Sequence, residues 1–280
     1  MKIPELMAVE FYLQALESGN LRATHGRHTH ASFFSMLNNV SSELVTKLHN
    51  SNSEKPFTVS CLYNFNTIME KSETSEKSIF IKSDEIYCFR VTAITEELCA
   101  AIFQLFRINR IKIKIGNINF IIKDVAYADR KRAGIETYTG LMEYINRQPK
   151  RSFGLQFISP TAFHSKEQNF LFPLPSFIFP RLLKRWNQFC PEDCIINYNQ
   201  FSENLEYSIM VSDYKLQTKI LDFGPKGQEV AFIGYCGYKA ARKSDIKILQ
   251  ILQVLLRFVF FAGIGYGTPR GMGQVDFIFV

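Results

Sequence analysis

The chain contains 280 residues, of which 46% are hydrophobic and 21% are charged, and its formal net charge at pH 7 is +7. This composition excludes an intrinsically disordered chain, and the length fits two domains of ordinary size better than one. The positive charge favours an acidic partner, most commonly nucleic acid, although a basic soluble protein without such a partner has the same signature.

The first half of the chain has the element order β-α-β-β-α-β. Apolar periodicity predicts a strand over 7–16, a helical region over 28–49, strands over 57–63 and 85–94, a helix over 96–106, and strands over 112–115 and 119–126. The segment 64–80 is rich in Ser, Glu, Lys and Asn and is predicted to be an exposed loop. This order is that of the ferredoxin-like motif.

The second half repeats the order. The predicted elements are a strand over 152–158, a proline-punctuated stretch 172–180 that leads into a short helix around Trp186, a long hairpin of 205–223 and 229–240, a helix over 246–262 capped by Ser244 or Asp245, and a strand over 275–280. We therefore predict an α+β fold of two tandem ferredoxin-like (RRM-like, βαββαβ) domains, over residues 1–135 and 145–280, with a C-terminal glycine-rich loop.

That loop lies between the last helix and the last strand. It contains Arg270 and five glycines, which are Gly263, Gly265, Gly267, Gly271 and Gly273. Because glycine has no Cβ, backbone N–H groups can face phosphate oxygens, and Arg270 adds a permanent cation. No Gly-Lys-Ser/Thr follows and the loop comes after a helix, so a P-loop and a dinucleotide fingerprint are excluded. The alternative is a long, mobile connection.

Several sequence signals of secretion, membrane insertion and metal binding are not found in the sequence. The six cysteines form no Cys-x-x-Cys pair and the first residues do not resemble a secretion signal, which favours the cytoplasm. Polar residues interrupt the apolar segment 246–262, so we predict a core helix and no membrane partner. No cluster of Asp and Glu has the spacing of a two-metal nuclease, so neither a metal nor another cofactor is expected.

Four motifs resemble one family in their order and spacing. The Gly-x-Gly, spacer, Gly-x-Gly loop resembles the signature of RAMP proteins, which are ferredoxin-like RNA-binding proteins of CRISPR systems. Residues 48–60 resemble the Leu-His, spacer, Pro-Phe-Thr-x-Ser segment of the repeat-processing endoribonucleases in that superfamily. Residues 157–163 and 234–238 resemble, respectively, the motif that starts their second domain and their glycine-containing hairpin strand.

The resemblance implies a function and partners. The repeat-processing endoribonucleases cleave precursor CRISPR RNA within each repeat without a metal and leave a 2′,3′-cyclic phosphate and a 5′-hydroxyl. CRISPR repeat RNA is the implied partner, other CRISPR effector proteins are further ones, and the chain would be a monomer or homodimer. The alternatives are a non-catalytic RAMP subunit that binds RNA in an effector complex, and an RRM-type protein, for which no RNP-like strand is found.

Four of the five histidines lie between residues 25 and 49. Histidine suits the base and acid that attack by a 2′-hydroxyl requires, because its ordinary pKa near 6.5 makes both protonation states available. The resemblance places His49 at the family's catalytic position and Lys55 beside the scissile phosphate. Phe34 stands where some members have a catalytic tyrosine, which puts a Tyr-His-Lys arrangement in doubt.

A second set of candidates begins the first helix. The apolar spacing of the segment 28–40 predicts an amphipathic helix, whose first turn holds His28 and His30 directly after Arg27. Helix N–H groups and a guanidinium both favour phosphate. We assign Arg27 and His30 to catalysis and His28 to RNA binding. The alternative is a capping or surface role; His25 is equally compatible with a loop residue, and His164 is interpreted as structural.

Basic residues crowd the end of the first predicted domain and the start of the second. They are Arg107, Arg110, Lys112, Lys114, Lys123, Arg130, Lys131, Arg132, Arg147, Lys150 and Arg151, with a further group at Arg181, Lys184 and Arg185. Such a run is either a solvated face or a groove that follows an RNA backbone.

Overall fold

The computed structural model describes residues 3–50, 54–64, 78–108, 111–128, 131–165 and 168–279. Most of the predicted loop 64–80 lies outside the described residues, as do Arg110 and Arg130 of the predicted basic surface and Val280 of the last predicted strand.

The chain divides into two compact units. The first unit comprises Met1–Ile135, Leu221–Glu229 and Gly267–Met272. Its elements are β1 (Leu6–Ala15), β2 (Gly19–Arg22), α1 (Gly26–Asn38), α2 (Ser42–Asn50), β3 (Phe57–Val59), β4 (Tyr63–Asn64), β5 (Ser78–Ile81), β6 (Ile86–Ala93), α3 (Glu96–Leu105), β7 (Lys112–Ile115), β8 (Ile118–Ala126) and β9 (Gly134–Glu136).

The main sheet of this unit has the strand order β3-β6-β1-β8-β7. Its β1, β3, β6 and β8 pair antiparallel in the ferredoxin-like order, which confirms the predicted fold. Alternate residues of β1, such as Val9 and Phe11, join a core that includes Phe33 and Leu37 of α1 and Ile102 of α3. The periodicity that predicted an amphipathic helix therefore corresponds to real burial.

The predicted helical region over 28–49 consists of two helices, α1 and α2. The N–H groups of Asn39 and Val40 donate to the carbonyls of Met36 and Leu37 at 3.1 and 2.9 Å, the tight bonding that ends α1. Ser41 Oγ then accepts the N–H of Leu44 at 3.1 Å and caps α2. The apolar spacing that predicted a helix over 28–40 therefore ends two residues beyond the last residue of α1.

The second unit comprises Glu136–Ile220, Val230–Tyr266 and Gly273–Val280. Its elements are α4 (Tyr138–Met142), β10 (Ser152–Thr161), β11 (Phe163–Ser165), β12 (Gln168–Phe170), α5 (Pro175–Phe189), α6 (Phe201–Ser208), β13 (Ile209–Asp222), β14 (Gln228–Ala240), α7 (Ile246–Ala262) and β15 (Val275–Phe279). The last residues of β13 and the first residues of β14 belong to the first unit. The sheet order β13-β14-β10-β15 is ferredoxin-like again. Asp245 caps α7 by accepting the N–H of Lys247 at 2.9 Å, as predicted.

Two boundaries in this unit differ from the prediction. The stretch 172–180 does not merely precede a helix, because α5 begins at Pro175 and continues through Pro180. Proline suits a first helical turn, and buried Phe179 and Trp186 stabilise the helix despite the hydrogen bond that Pro180 removes. The start of the predicted hairpin at Leu205 is instead the end of α6.

Among the described residues, no helix combines the length and the apolar character needed to cross a bilayer.

Candidate active site

The second part of the glycine-rich loop, Gly267–Met272, belongs to the first unit and packs against the start of α1 and the end of β3. The N–H of Gly271 donates to the Val59 carbonyl at 2.8 Å. Gly271 has a φ of 92°, and a Cβ there would lie 2.6 Å from Sγ of Cys61. A Cβ on Gly26 would overlap the carbonyl oxygen of Arg270. Glycine at 26 and 271 therefore permits direct contact between backbones.

The loop's backbone N–H groups are largely used by the protein itself. Gly263 donates to Val259 at 2.8 Å and Gly273 donates to Pro160 at 3.0 Å, both within the second unit. This differs from the expectation that consecutive N–H groups face a ligand, because the glycines serve close packing first. Within the described residues, Gly265 and Gly267 are the loop glycines whose N–H groups have no such backbone partner.

His30 lies where α1 meets this loop. Its Nδ1 is 2.9 Å from the Pro269 carbonyl oxygen, and its ring stacks on Phe34 with 4.5 Å between centroids. A carbonyl only accepts, so this contact requires the proton on Nδ1 and leaves the Nε2 lone pair available. Phe34, at the position of a family tyrosine, thus supplies an aromatic surface for the imidazole.

Positive groups surround His30. Burial lowers the pKa of His30 below its ordinary value of 6.5, the bond to Pro269 opposes that effect, and the charges of Arg270, Lys55 and His49 lower the pKa further. His30 is therefore neutral near pH 7. His30, His49, Lys55 and Arg270 therefore share one electrostatic environment, although they come from three separate stretches of sequence.

His49 and Lys55 are placed by the end of α2. Lys55 Nζ donates to the Leu48 carbonyl at 2.6 Å, in the last turn of α2, where carbonyls have no partner within the helix. His49 is exposed, with Nδ1 3.3 Å from Oδ1 of Asn50.

The other two histidines of this region are separated from His30. A two-residue step rotates a helical position by about 200°, so His28 faces away from His30. Its ring lies beside Gly116, in the turn between β7 and β8. His25 is buried, with Nδ1 2.7 Å from the Arg22 carbonyl and Nε2 accepting the Leu62 N–H at 2.7 Å, so both nitrogens hold the fold together.

Arg27 has a neighbour that the sequence did not predict. Its guanidinium carbon lies 5.8 Å from the ring centroid of Phe223, in the hairpin segment Leu221–Glu229 of the first unit. Thr24 Oγ1 donates to the Asp222 carbonyl at 2.6 Å and fixes this segment. The contact between Arg27 and Phe223 could not be predicted from the sequence, since it depends on the length of the hairpin of β13 and β14.

The predicted basic surface is only partly a solvated face. Lys112 and Lys114 are exposed on β7. The guanidinium carbon of Arg132 instead lies 4.7 Å from the ring centroid of Tyr63. The backbone carbonyl of Arg132 accepts a hydrogen bond from Nε of Arg90 at 2.7 Å. Arg132 is therefore part of the packing of the first unit.

Within the part of the chain that the structure describes, no three His, Cys, Asp or Glu side chains are grouped so that they could hold a metal ion.

Comparison with known proteins covers both units. A family model described as "CRISPR Cas6 N-terminal domain" matches residues 13–141, and one described as "CRISPR-associated endoribonuclease Cas6" matches residues 155–275. A search of curated protein sequences finds no match.

Solved structures match along the whole chain. A product complex of Cas6 (TTHB231) from Thermus thermophilus has a TM-score of 0.78 and 23% identity, covering 98% of this chain and 100% of that one. A product complex of Cas6 (TTHA0078) has a TM-score of 0.73 and 21% identity, covering 97% and 98%. These structures show that the fold is shared, and the two family models, which match residues 13–141 and 155–275, show that the chain belongs to the Cas6 family of CRISPR-associated endoribonucleases.

Proposed function

We propose that the chain cleaves precursor CRISPR RNA within each repeat by a metal-independent reaction. The 2′-hydroxyl next to the scissile phosphate attacks phosphorus, and the products carry a 2′,3′-cyclic phosphate and a 5′-hydroxyl. The observation that carries this proposal is His30, whose Nδ1 bond to Pro269 leaves Nε2 as a base while its pKa lies below 6.5.

Each group has a role that balances the reaction. His30 Nε2 takes the proton of the 2′-hydroxyl, and the 2′-oxygen forms its bond to phosphorus as the bond to the 5′-oxygen breaks. His49, exposed at the end of α2, gives a proton to the leaving 5′-oxygen. Lys55 and Arg270 stabilise the negative charge that builds up on the phosphorane.

This assignment changes the order of candidates that the sequence suggested. His49 remains a catalytic residue but takes the role of acid, because His30 has the fixed tautomer and the lowered pKa that suit a base. Arg27 binds the RNA backbone near α1, and His28 contacts RNA on the other side of that helix. Gly263, Gly265, Gly267, Gly271 and Gly273 form the loop that the RNA approaches.

The proposed reaction assigns a role to each domain and RNA as the substrate. We assign catalysis to the domain over residues 1–135 together with the loop segment Gly267–Met272, and the rest of the glycine-rich loop to the domain over 145–280. CRISPR repeat RNA is the substrate, and a solved structure described as "An RAMP protein binding different RNA substrates", with a TM-score of 0.59, supports an RNA ligand for this fold. Other effector proteins are additional partners, and the protein acts as a monomer or homodimer in the cytoplasm.

The test uses purified protein and repeat RNA in excess EDTA. Wild-type protein should cleave once per repeat, and the 5′ product should carry a cyclic phosphate that acid opens. His30→Ala should reduce the single-turnover rate by about 10²–10⁴-fold. Ser35→Ala, at an exposed position of the same helix, is the matched control and should leave the rate unchanged. RNA binding without any cleavage by the wild type would favour a non-catalytic RAMP subunit instead.

A further inference from the structure

The outward-facing aromatic residue of the glycine-rich loop lies in the second unit. Tyr266 is 42% exposed, whereas Ile264 and Met272 of the same loop are buried. The N–H of Tyr266 donates to the Ala162 carbonyl at 2.8 Å, and a Cβ on the preceding Gly265 would lie 2.6 Å from that same carbonyl oxygen. Close backbone packing therefore holds Tyr266 at the surface instead of letting it fold into the core.

A second ring stands next to it. His164, interpreted from the sequence as structural, is exposed on β11, with its ring centroid 6.0 Å from that of Tyr266. Its Nδ1 lies 3.0 Å from Oδ1 of Asn169, its pairing partner on β12, which fixes the orientation of the imidazole. The two rings are thus presented in a defined arrangement.

A cation completes this surface. Arg181 Nη2 donates to the His164 carbonyl at 3.2 Å, and the guanidinium lies 5.5 Å from the Phe177 ring centroid. The surface therefore combines two exposed rings, an amide and a guanidinium. This composition suits a nucleotide, whose base stacks on aromatic rings and whose phosphate attracts a guanidinium, better than an apolar protein segment.

We propose that Tyr266 and His164 form a stacking platform for an unpaired nucleobase of the RNA substrate. This inference rests on the proposed function, since it assumes that RNA is the ligand. Tyr266 precedes Pro269, the carbonyl partner of His30, by three residues. A base held on Tyr266 fixes the position of the RNA along the glycine-rich loop.

The experiment places 2-aminopurine, whose fluorescence falls on stacking, at successive positions of a repeat RNA that the wild type binds. One position of the RNA should be quenched by the wild type. Tyr266→Ala should abolish that quenching and weaken binding by about 5- to 150-fold, the effect of losing one base–aromatic stack. His164→Ala should reduce both signals, and Tyr266→Phe should retain them, because the ring and not the hydroxyl makes the stack.

Tyr207→Ala is the matched control, since Tyr207 is an 81% exposed tyrosine on α6 of the same unit and should behave as wild type. Unchanged affinity and quenching in Tyr266→Ala, with wild-type cleavage intact, would overturn the platform and leave the proposed function standing. Binding and quenching by a wild type that does not cleave would remove the proposed reaction and support the platform. A wild type that binds no repeat RNA would overturn both.

Discussion

Gly26 and Arg270 are in direct backbone contact, so close that a Cβ on Gly26 would overlap the Arg270 carbonyl oxygen. Gly26 is the first residue of α1, and Arg270 is adjacent to Pro269, whose carbonyl accepts from His30. The absence of a Cβ on Gly26 therefore allows the loop segment Gly267–Met272 to pack directly against α1. The neighbouring Pro269 carbonyl accepts from His30 and requires the proton on Nδ1.

Gly26→Ala should separate α1 from the loop and weaken the bond between His30 and Pro269. We expect the single-turnover rate to fall by about tenfold or more, because a displacement near 1 Å at a catalytic group costs up to about 10²-fold. Long-range ¹H–¹⁵N NMR of His30 reports the tautomer and should show a loss of the Nδ1–H form. Gly19→Ala is the control, since its Cβ meets only the flexible end of Ile118. A wild type with the proton on Nε2 near pH 7 would contradict this arrangement.

The proposed role of His30 as a base predicts a pH dependence of cleavage. The rate should fall as acid protonates Nε2, with a midpoint below 6.5, because burial and nearby cations lower the pKa of His30. Arg270→Gln removes one of those cations, so the pKa of His30 should rise and the midpoint should move to higher pH. Single-turnover rates at saturating protein from pH 4.5 to 8 would measure the shift.

Lys47→Gln provides the matched control for the pH profile. Lys47 pairs with Glu97 at 2.6 Å on the exposed side of α2 and is not among the charges that act on His30. Its removal should leave the midpoint where it is. An equal shift in both variants would show that overall charge, and not the position of Arg270, sets the pKa of His30.

The fold was largely predictable because burial follows periodicity in both units. The strand 112–115 and the helix 246–262 were predicted to the residue, since apolar positions alternate in one and recur with helical spacing in the other. The hydrogen bond by which Ser41 caps α2, within the predicted helical region 28–49, was not predicted, because it depends on local backbone geometry.

The site was predictable only where a side chain carries the chemistry. Histidine clustering pointed to His30, but the Pro269 carbonyl that fixes its tautomer is a backbone group and leaves no mark in the sequence. The contact between Arg27 and Phe223 joins segments almost 200 residues apart and requires the tertiary fold. Sequence reasoning also paired His28 with His30, which the helical rotation between them separates.

Arg27 should contribute to binding through its charge. Arg27→Ala should weaken repeat RNA binding and reduce the slope of log K against log salt by about 0.7, the value for one phosphate contact on a single strand. Arg27→Lys should keep most of that slope, because the charge remains, while losing the planar contact with Phe223. Binding isotherms between 50 and 300 mM salt distinguish the two. An unchanged slope in Arg27→Ala would show that this guanidinium does not touch a phosphate.

His25 should make the stability of the first unit sensitive to acid. Burial lowers the pKa of His25 from 6.5 to about 4. Its Nε2 must stay unprotonated to accept the Leu62 N–H. A histidine with a lowered pKa in the folded state contributes stability that is complete above pH 6.5 and is lost as pH falls toward 4. This contribution to the free energy of unfolding amounts to about 3 kcal/mol, because each unit of pKa difference between the folded and unfolded states corresponds to about 1.36 kcal/mol.

Urea unfolding at pH 7 and pH 4.5 would measure this term. His25→Gln should lower the free energy of unfolding at pH 7 by about 1–3 kcal/mol, because a buried hydrogen bond is lost or weakened. The variant should also lose less stability between the two pH values than the wild type does. His49→Gln is the matched control, since that exposed histidine of the same unit is not among the groups that act on the pKa of His25 and should leave both values unchanged. Parallel pH dependence in His25→Gln and wild type would place the acid-sensitive group elsewhere in the fold.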